Sequence, residues 1–187
     1  MTTRRAIVTS LAGLLLAGDG RAQSGPWASL RVPDHFALIR HALAPGTFDP
    51  PGFRIDDCAT QRNLSDEGRT QAARIGDLFR ANGIAAARVF SSQWCRCLET
   101  ATLLKLGDVN SQPLLNSFAQ DRDRAVQQTA MLRPWISRLD LITPTVMVTH
   151  QVVITALSEV SPGSGEIVFM RRQSDGRLSI AGRLPTT

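Results

Sequence analysis

The chain has 187 residues, 43% of them hydrophobic, which suits one domain with one sizeable core and gives no sign of disorder. Its formal charge is +5, carried almost wholly by arginine, because Lys105 is the single lysine among 21 basic residues. That excess is too scattered for a nucleic-acid partner, and no apolar run of the mature chain reaches the roughly 18 residues of a membrane span. Codon composition can produce such an arginine bias, but the planar fork of arginine also suits phosphate.

Arg4 and Arg5 precede an apolar run from Ala6 to Ala17, and Gly20-Arg21-Ala22 then offers small residues at the two positions a signal peptidase reads. Basic, apolar and small-residue zones in that order predict a bacterial export signal over residues 1–22, hence a periplasmic or secreted protein. Thr3-Arg4-Arg5-Ala6-Ile7-Val8 also resembles the twin-arginine signal, which exports a folded chain. Without residues 1–22 the formal charge drops to about +3. Residues 23–34, with Gly25, Pro26 and Pro33, read as a linker, which leaves 35–187 as the domain.

The domain opens on Phe36-Ala37-Leu38-Ile39-Arg40-His41-Ala42, an apolar strand pattern that ends in an arginine and a histidine; Pro45 and Gly46 then stop it. A loop over residues 42–63 follows, long for a compact domain. Ser65 is an N-cap, Asp66 and Glu67 sit in a positively polarised first turn, and Ala72, Ile75, Leu78 and Phe79 mark one face of a helix ended by Asn82-Gly83. A strand over 87–91 leads to a helix over 94–106; after Pro113-Leu114-Leu115 comes a helix over 124–139, despite Pro134. Thr145 to Thr149 is a strand that delivers His150, followed by a helix over 151–159. Strands over 166–171 and 177–183 form a hairpin at Asp175-Gly176. Strands alternating with helices predict a three-layer α/β/α sandwich with a mostly parallel sheet and that hairpin at its edge. The carboxyl ends of its parallel strands then bring Arg40, His41, Arg96 and His150 to one edge, where open α/β sheets bind ligands.

These segments resemble the histidine phosphatase superfamily, the phosphoglycerate-mutase-like fold, over residues 35–183. Leu38-Ile39-Arg40-His41-Ala42 is similar to its Arg-His-Gly signature, and Asn63-Leu64-Ser65-Asp66-Glu67-Gly68 to the start of its first helix. Ser91-Ser92-Gln93-Trp94-Cys95-Arg96-Cys97-Leu98-Glu99-Thr100-Ala101 is similar to the segment with its second arginine, and Val148-Thr149-His150 to that with its second histidine. Ala42 and Thr149 stand where the family often has glycine, and neither replacement removes a functional side chain.

A phosphate monoester repels nucleophiles through its charged oxygens, so a site must neutralise them and align an in-line attack. Arg40 and Arg96 can clamp those oxygens with forked donors. The resemblance implies that His41 is the nucleophile of a phosphohistidine mechanism, with His150 as a donor to the transferring group. The leaving oxygen needs a proton, for which the resemblance points to the loop at 116–123; Asp121 is the candidate and Asp123 the reserve, and both also fit as caps of the next helix. Arg62 and Gln151 adjoin the motifs and are assigned to the pocket rim, while His35 is structural. No recurring ligand spacing among three cysteines and three histidines indicates a metal, and no cofactor is expected. Cys97 falls one turn into a helix, where a small buried residue belongs, which leaves Cys58 and Cys95 to form a disulfide in an oxidising compartment.

The sequence therefore implies an exported, metal-independent phosphatase acting on a small-molecule or envelope phosphate monoester, with a noncatalytic binder of phosphorylated ligands or a phosphomutase as alternatives. The substrate and the oligomeric state are not encoded in these motifs. Mass spectrometry of the exported protein should show Gln23 as its first residue; Met1 intact on a periplasmic chain would contradict the cleavage, and retention in the cytosol would contradict the signal itself.

Overall fold

The computed structural model describes residues 25–186, so the export signal lies outside the described residues. The order of elements is α1 (Pro26–Ser29), β1 (His35–Arg40), α2 (Asp66–Ala81), β2 (Arg88–Ser91), α3 (Cys95–Leu103), β3 (Val109–Ser111), α4 (Arg124–Ser137), β4 (Thr145–Thr149), α5 (Gln151–Ser158), β5 (Ile167–Arg172) and β6 (Leu178–Leu184). Short 3-10 turns occupy Cys58–Thr60 and Pro113–Leu115.

The six strands among the described residues form one sheet in the order β3-β2-β4-β1-β5-β6. The first four run parallel, and β5 and β6 are antiparallel, as the Asp175-Gly176 hairpin requires. Alternation along β1 feeds two cores. Ala37 and Ile39 face a cluster with Ile75 and Phe79 of α2 and Cys97 and Ala101 of α3, while Phe36 and Leu38 face one with Leu132 and Ile136 of α4 and Val153 and Ile154 of α5. Two faces, each covered by helices, make the three-layer α/β/α sandwich. Strand β4 is buried along its whole length between β1 and β2, as a parallel strand covered on both faces must be.

Two local readings of the sequence need correction. The supposed linker is packed: Leu30 is buried, and Trp27 meets Phe79 and Phe169 edge-on at centroid distances of 4.9 and 5.1 Å. The segment lies close on β6, where a Cβ on Gly182 would meet Pro26 at 2.6 Å. Strand β3 was absent from the sequence pattern, because three residues with little apolar content carry no usable alternation.

Helix α2 anchors the segment after His41. Ser65 caps it through Gly68 N–H at 3.1 Å, and its own N–H donates to the Leu43 carbonyl at 3.1 Å. Gln71 accepts from Leu43 N–H at 2.9 Å. Gly68 lets the helix lie on that backbone, since a Cβ there would sit 2.0 Å from the Leu43 oxygen.

Candidate active site

The site grows from the carboxyl ends of the three central parallel strands. His41 N–H donates to the Thr149 carbonyl at 2.9 Å, continuing the β1–β4 ladder by one residue and setting His41 beside His150. The two imidazoles stand edge to face with centroids 5.5 Å apart. Gly165 N–H donates to the carbonyls of Arg40 and His41 at 3.1 Å each, and Ala42 N–H donates to Thr100 Oγ1 of α3 at 3.1 Å. The backbone on both sides of His41 is thus held by neighbouring elements.

Arg96 comes from the first turn of α3 and Arg62 from the end of the long loop. The disulfide between Cys58 and Cys95, with Cα atoms 5.7 Å apart, joins the segments that carry them. Gln61 adds a second tie by accepting from Cys95 N–H at 3.0 Å. A polar cavity of about 60 Å³, room for roughly four or five water-sized groups, lies among Arg40, His41, Arg62, Arg96, His150 and Gln151. The structure therefore brings together six of the seven residues singled out from sequence. Asp121 is the seventh and does not line this cavity: its side chain is 56% exposed and stands 3.9 Å from Arg124. Asp123 precedes α4 without a side-chain cap bond. The His35 ring bonds to the Pro33 carbonyl at 2.9 Å, at the opposite end of β1. Gln151 donates to Ser161 Oγ at 3.0 Å from the cavity rim.

Asp49 is the functional residue that sequence reasoning missed. Buried in the long loop, it grips Arg96 with both oxygens, Oδ1 to Nη1 at 2.7 Å and Oδ2 to Nη2 at 3.1 Å. It also accepts from Trp94 Nε1 at 3.0 Å and from Arg62 N–H at 3.0 Å. Burial alone would push its carboxyl up, but hydrogen bonds from Arg96 and Arg62 and the charge of Arg96 prevail and hold it below the usual carboxylate range. Arg40 donates to the Pro162 carbonyl at 2.9 Å, and Arg62 to the Ala44 carbonyl. The buried Nε of Arg40, Arg62 and Arg96 each lack a partner within the described residues. Three guanidinium charges against one carboxylate leave this cavity with two positive charges.

Both histidines are neutral, and their tautomers follow from their partners. His41 Nδ1 lies 2.8 Å from the Ala42 carbonyl, which only accepts, so Nδ1 carries the proton and Nε2 a lone pair. The His150 Nδ1 faces Arg96 Nη2 at 3.5 Å, which only donates, and its Nε2 lies 2.9 Å from Ser92 Oγ. Ser92 Oγ in turn donates to Asn116 Oδ1 at 3.2 Å, so His150 Nε2 is the protonated nitrogen. Burial, then the charge of Arg96, lowers the His41 pKa to about 3. Burial, then repulsion from His41 and Arg96, puts His150 well below its ordinary value.

Residues 36–119 match the family model of the histidine phosphatase superfamily, branch 1. The matched segment holds Arg40, His41, Arg62 and Arg96. No curated protein matches the chain. Among solved structures it is similar to the protein histidine phosphatase SixA complexed with tungstate, at 14% identity and TM-score 0.59, covering 81% of this chain and 97% of that one. It is also similar to mycobacterial glucosyl-3-phosphoglycerate phosphatase complexed with VO3, at 16% identity and TM-score 0.61, covering 80% and 98%. A phosphoserine phosphatase of Entamoeba histolytica in complex with phosphoserine matches at 15% identity and TM-score 0.59, covering 82% and 98%. At such identities these structures share the fold of a histidine phosphatase with this chain.

The depressed histidine pKa values predict how stability varies with pH. Unfolded histidines take up protons near pH 6.5, whereas folded His41 does so only near 3, so stability is fully present above about 6.5 and is lost as pH falls through that window. In a buffer without multivalent anions the melting temperature should fall from pH 7 to 4.5, with each histidine contributing up to roughly 1.4 kcal/mol per pH unit. The slope should shrink in His41→Asn; a flat profile in the wild type would contradict neutral buried imidazoles.

Proposed function

We propose that this protein is a phosphohydrolase working outside the cytoplasm and without a metal ion, which passes the phosphoryl group of a phosphate monoester to His41 Nε2 and then to water. One observation carries the reading: three guanidinium groups, only one of them paired with a carboxylate, stand around two neutral imidazoles, a surplus of charge that a phosphate dianion balances. The arginines supply the positive charge that a metal supplies in other phosphoryl-transfer sites.

His41 Nε2 attacks phosphorus with its lone pair, forming a P–N bond as the ester P–O bond breaks. Positive charge then develops on the ring, and the Nδ1–H bond to the Ala42 carbonyl stabilises it. Water attacks the phosphohistidine, returning neutral His41 and inorganic phosphate. Complexes of the structural neighbours with tungstate, VO3 and phosphoserine support a cavity suited to a phosphate-sized anion. The basic, apolar and small-residue order of residues 1–22 supports export, and the Cys58–Cys95 disulfide fits an oxidising compartment. A noncatalytic binder of phosphorylated ligands is the second reading, favoured by the position of Asp121 outside the cavity.

Rapid quench with radiolabelled phenyl phosphate should trap an acid-labile, alkali-stable adduct in the wild type and none in His41→Ala, while His150→Ala labels slowly. Label at the wild-type level in His41→Ala would overturn the mechanism. Tight binding without any label or turnover in the wild type would establish the binder.

A further inference from the structure

A phosphohydrolase with this site has to expel the leaving oxygen, and the residues lining the cavity hold no proton suited to that step. Asp49 is the one carboxylate there among the described residues, and four N–H donors occupy its oxygens: Arg96 Nη1 and Arg62 N on Oδ1, Arg96 Nη2 and Trp94 Nε1 on Oδ2. A protonated carboxyl would have to give up one of these bonds and half of its ion pair. The Nδ1 proton of His41 is committed to the Ala42 carbonyl and the Nε2 proton of His150 to Ser92. Thr47 and Ser117 also line the cavity, but their hydroxyls are far too weakly acidic.

The cavity mouth carries the second observation. Phe48, 56% exposed, stands on its rim with Ala119 and Val152. Phe48 directly precedes Asp49, so the bidentate grip on Arg96 that shapes the phosphate cradle also fixes this ring beside it. An exposed aromatic ring so close to buried charge gives an apolar, flat leaving group somewhere to stack.

Resting on the phosphohydrolase reading above, we propose that the site is built for aryl phosphates, with Phe48 as the docking residue for the ring and Asp49 as a positioning residue for Arg96. His41 Nε2 forms the P–N bond while the P–O bond to the ring breaks. The electron pair leaves on a phenoxide, whose conjugate acid has a pKa of about 10, and solvent protonates it. Water then cleaves the P–N bond, so an aryl phosphate and water give a phenol and inorganic phosphate. An alkoxide is too basic to depart in this way without an acid.

The test is turnover by the purified protein of phenyl phosphate, ethyl phosphate and acetyl phosphate, in the wild type, Phe48→Ala and Asp49→Asn. Wild-type kcat/KM should favour phenyl over ethyl phosphate by about 10²- to 10⁴-fold, the contribution a positioned acid would otherwise supply. Phe48→Ala should lower the preference for phenyl over acetyl phosphate by roughly two- to tenfold. Asp49→Asn should slow phenyl and ethyl phosphate by the same factor, because it loosens Arg96 for every substrate. Ethyl phosphate turned over within tenfold of phenyl phosphate, or a loss in Asp49→Asn confined to ethyl phosphate, would make Asp49 an acid and overturn the proposal. An unchanged phenyl-to-acetyl ratio in Phe48→Ala would overturn the docking of the ring. No turnover of any of the three would overturn the phosphohydrolase reading itself, and the proposal with it.

Discussion

The bidentate bond between Asp49 and Arg96 is the interaction on which the rest of the site depends. Burying an ion pair is costly, and further hydrogen bonds to its charged groups offset part of that cost. Here Trp94 and the backbone of Arg62 complete the carboxylate, and the Arg62 carbonyl accepts from Arg96 at 3.2 Å. The result is a guanidinium fixed beside His150 with its charge only partly neutralised. Removing one partner of a buried pair commonly costs about 3 to 5 kcal/mol, because the other charge is left uncompensated.

Strands β1 and β4 place the histidines with the precision of a ladder, whereas Asp49 and Arg62 come from a loop without regular structure over most of its length. Such a loop needs ties, and three add to the grip of Asp49. Helix α2 lies on the segment after His41, where Gly68 permits the contact. The disulfide joins Cys58 to the first residue of α3, and Gln61 bonds to the backbone of the same residue. Together they hold the loop against the helix that carries Arg96, so the fold reaches the chemistry through the loop as much as through the sheet.

Much of this architecture was legible in the sequence, because it is periodic. Phe36 to Ile39 and Thr145 to Thr149 read as buried strands, Ser65 marks the start of α2, and the polar residues at strand ends converge as the parallel sheet demands. Asp49 was not legible. In Thr-Phe-Asp-Pro-Pro-Gly an aspartate looks like an ordinary turn residue, and its partner lies 47 positions away. The available signal was indirect: a long loop that ends in a cysteine-bearing turn is one that something must hold down. Asp121 failed for the opposite reason. Its place in the chain suited an acid, but the turn before α4 leaves its side chain beside Arg124 and away from the cavity. The packed segment at Trp27 escaped notice because Gly25, Pro26 and Pro33 signal a linker, and only the tertiary fold shows Trp27 on the core and Pro26 against Gly182.

Phosphoryl transfer at this site requires two neutral imidazoles of opposite tautomer among three arginines. Nitrogen-15 NMR of the histidine rings in phosphate-free buffer measures that state directly. His41 should appear as the neutral Nδ1–H tautomer and His150 as the neutral Nε2–H tautomer, both unchanged from pH 7 to 5. An imidazolium signal from either ring at pH 6, or an Nε2–H tautomer for His41, would contradict it.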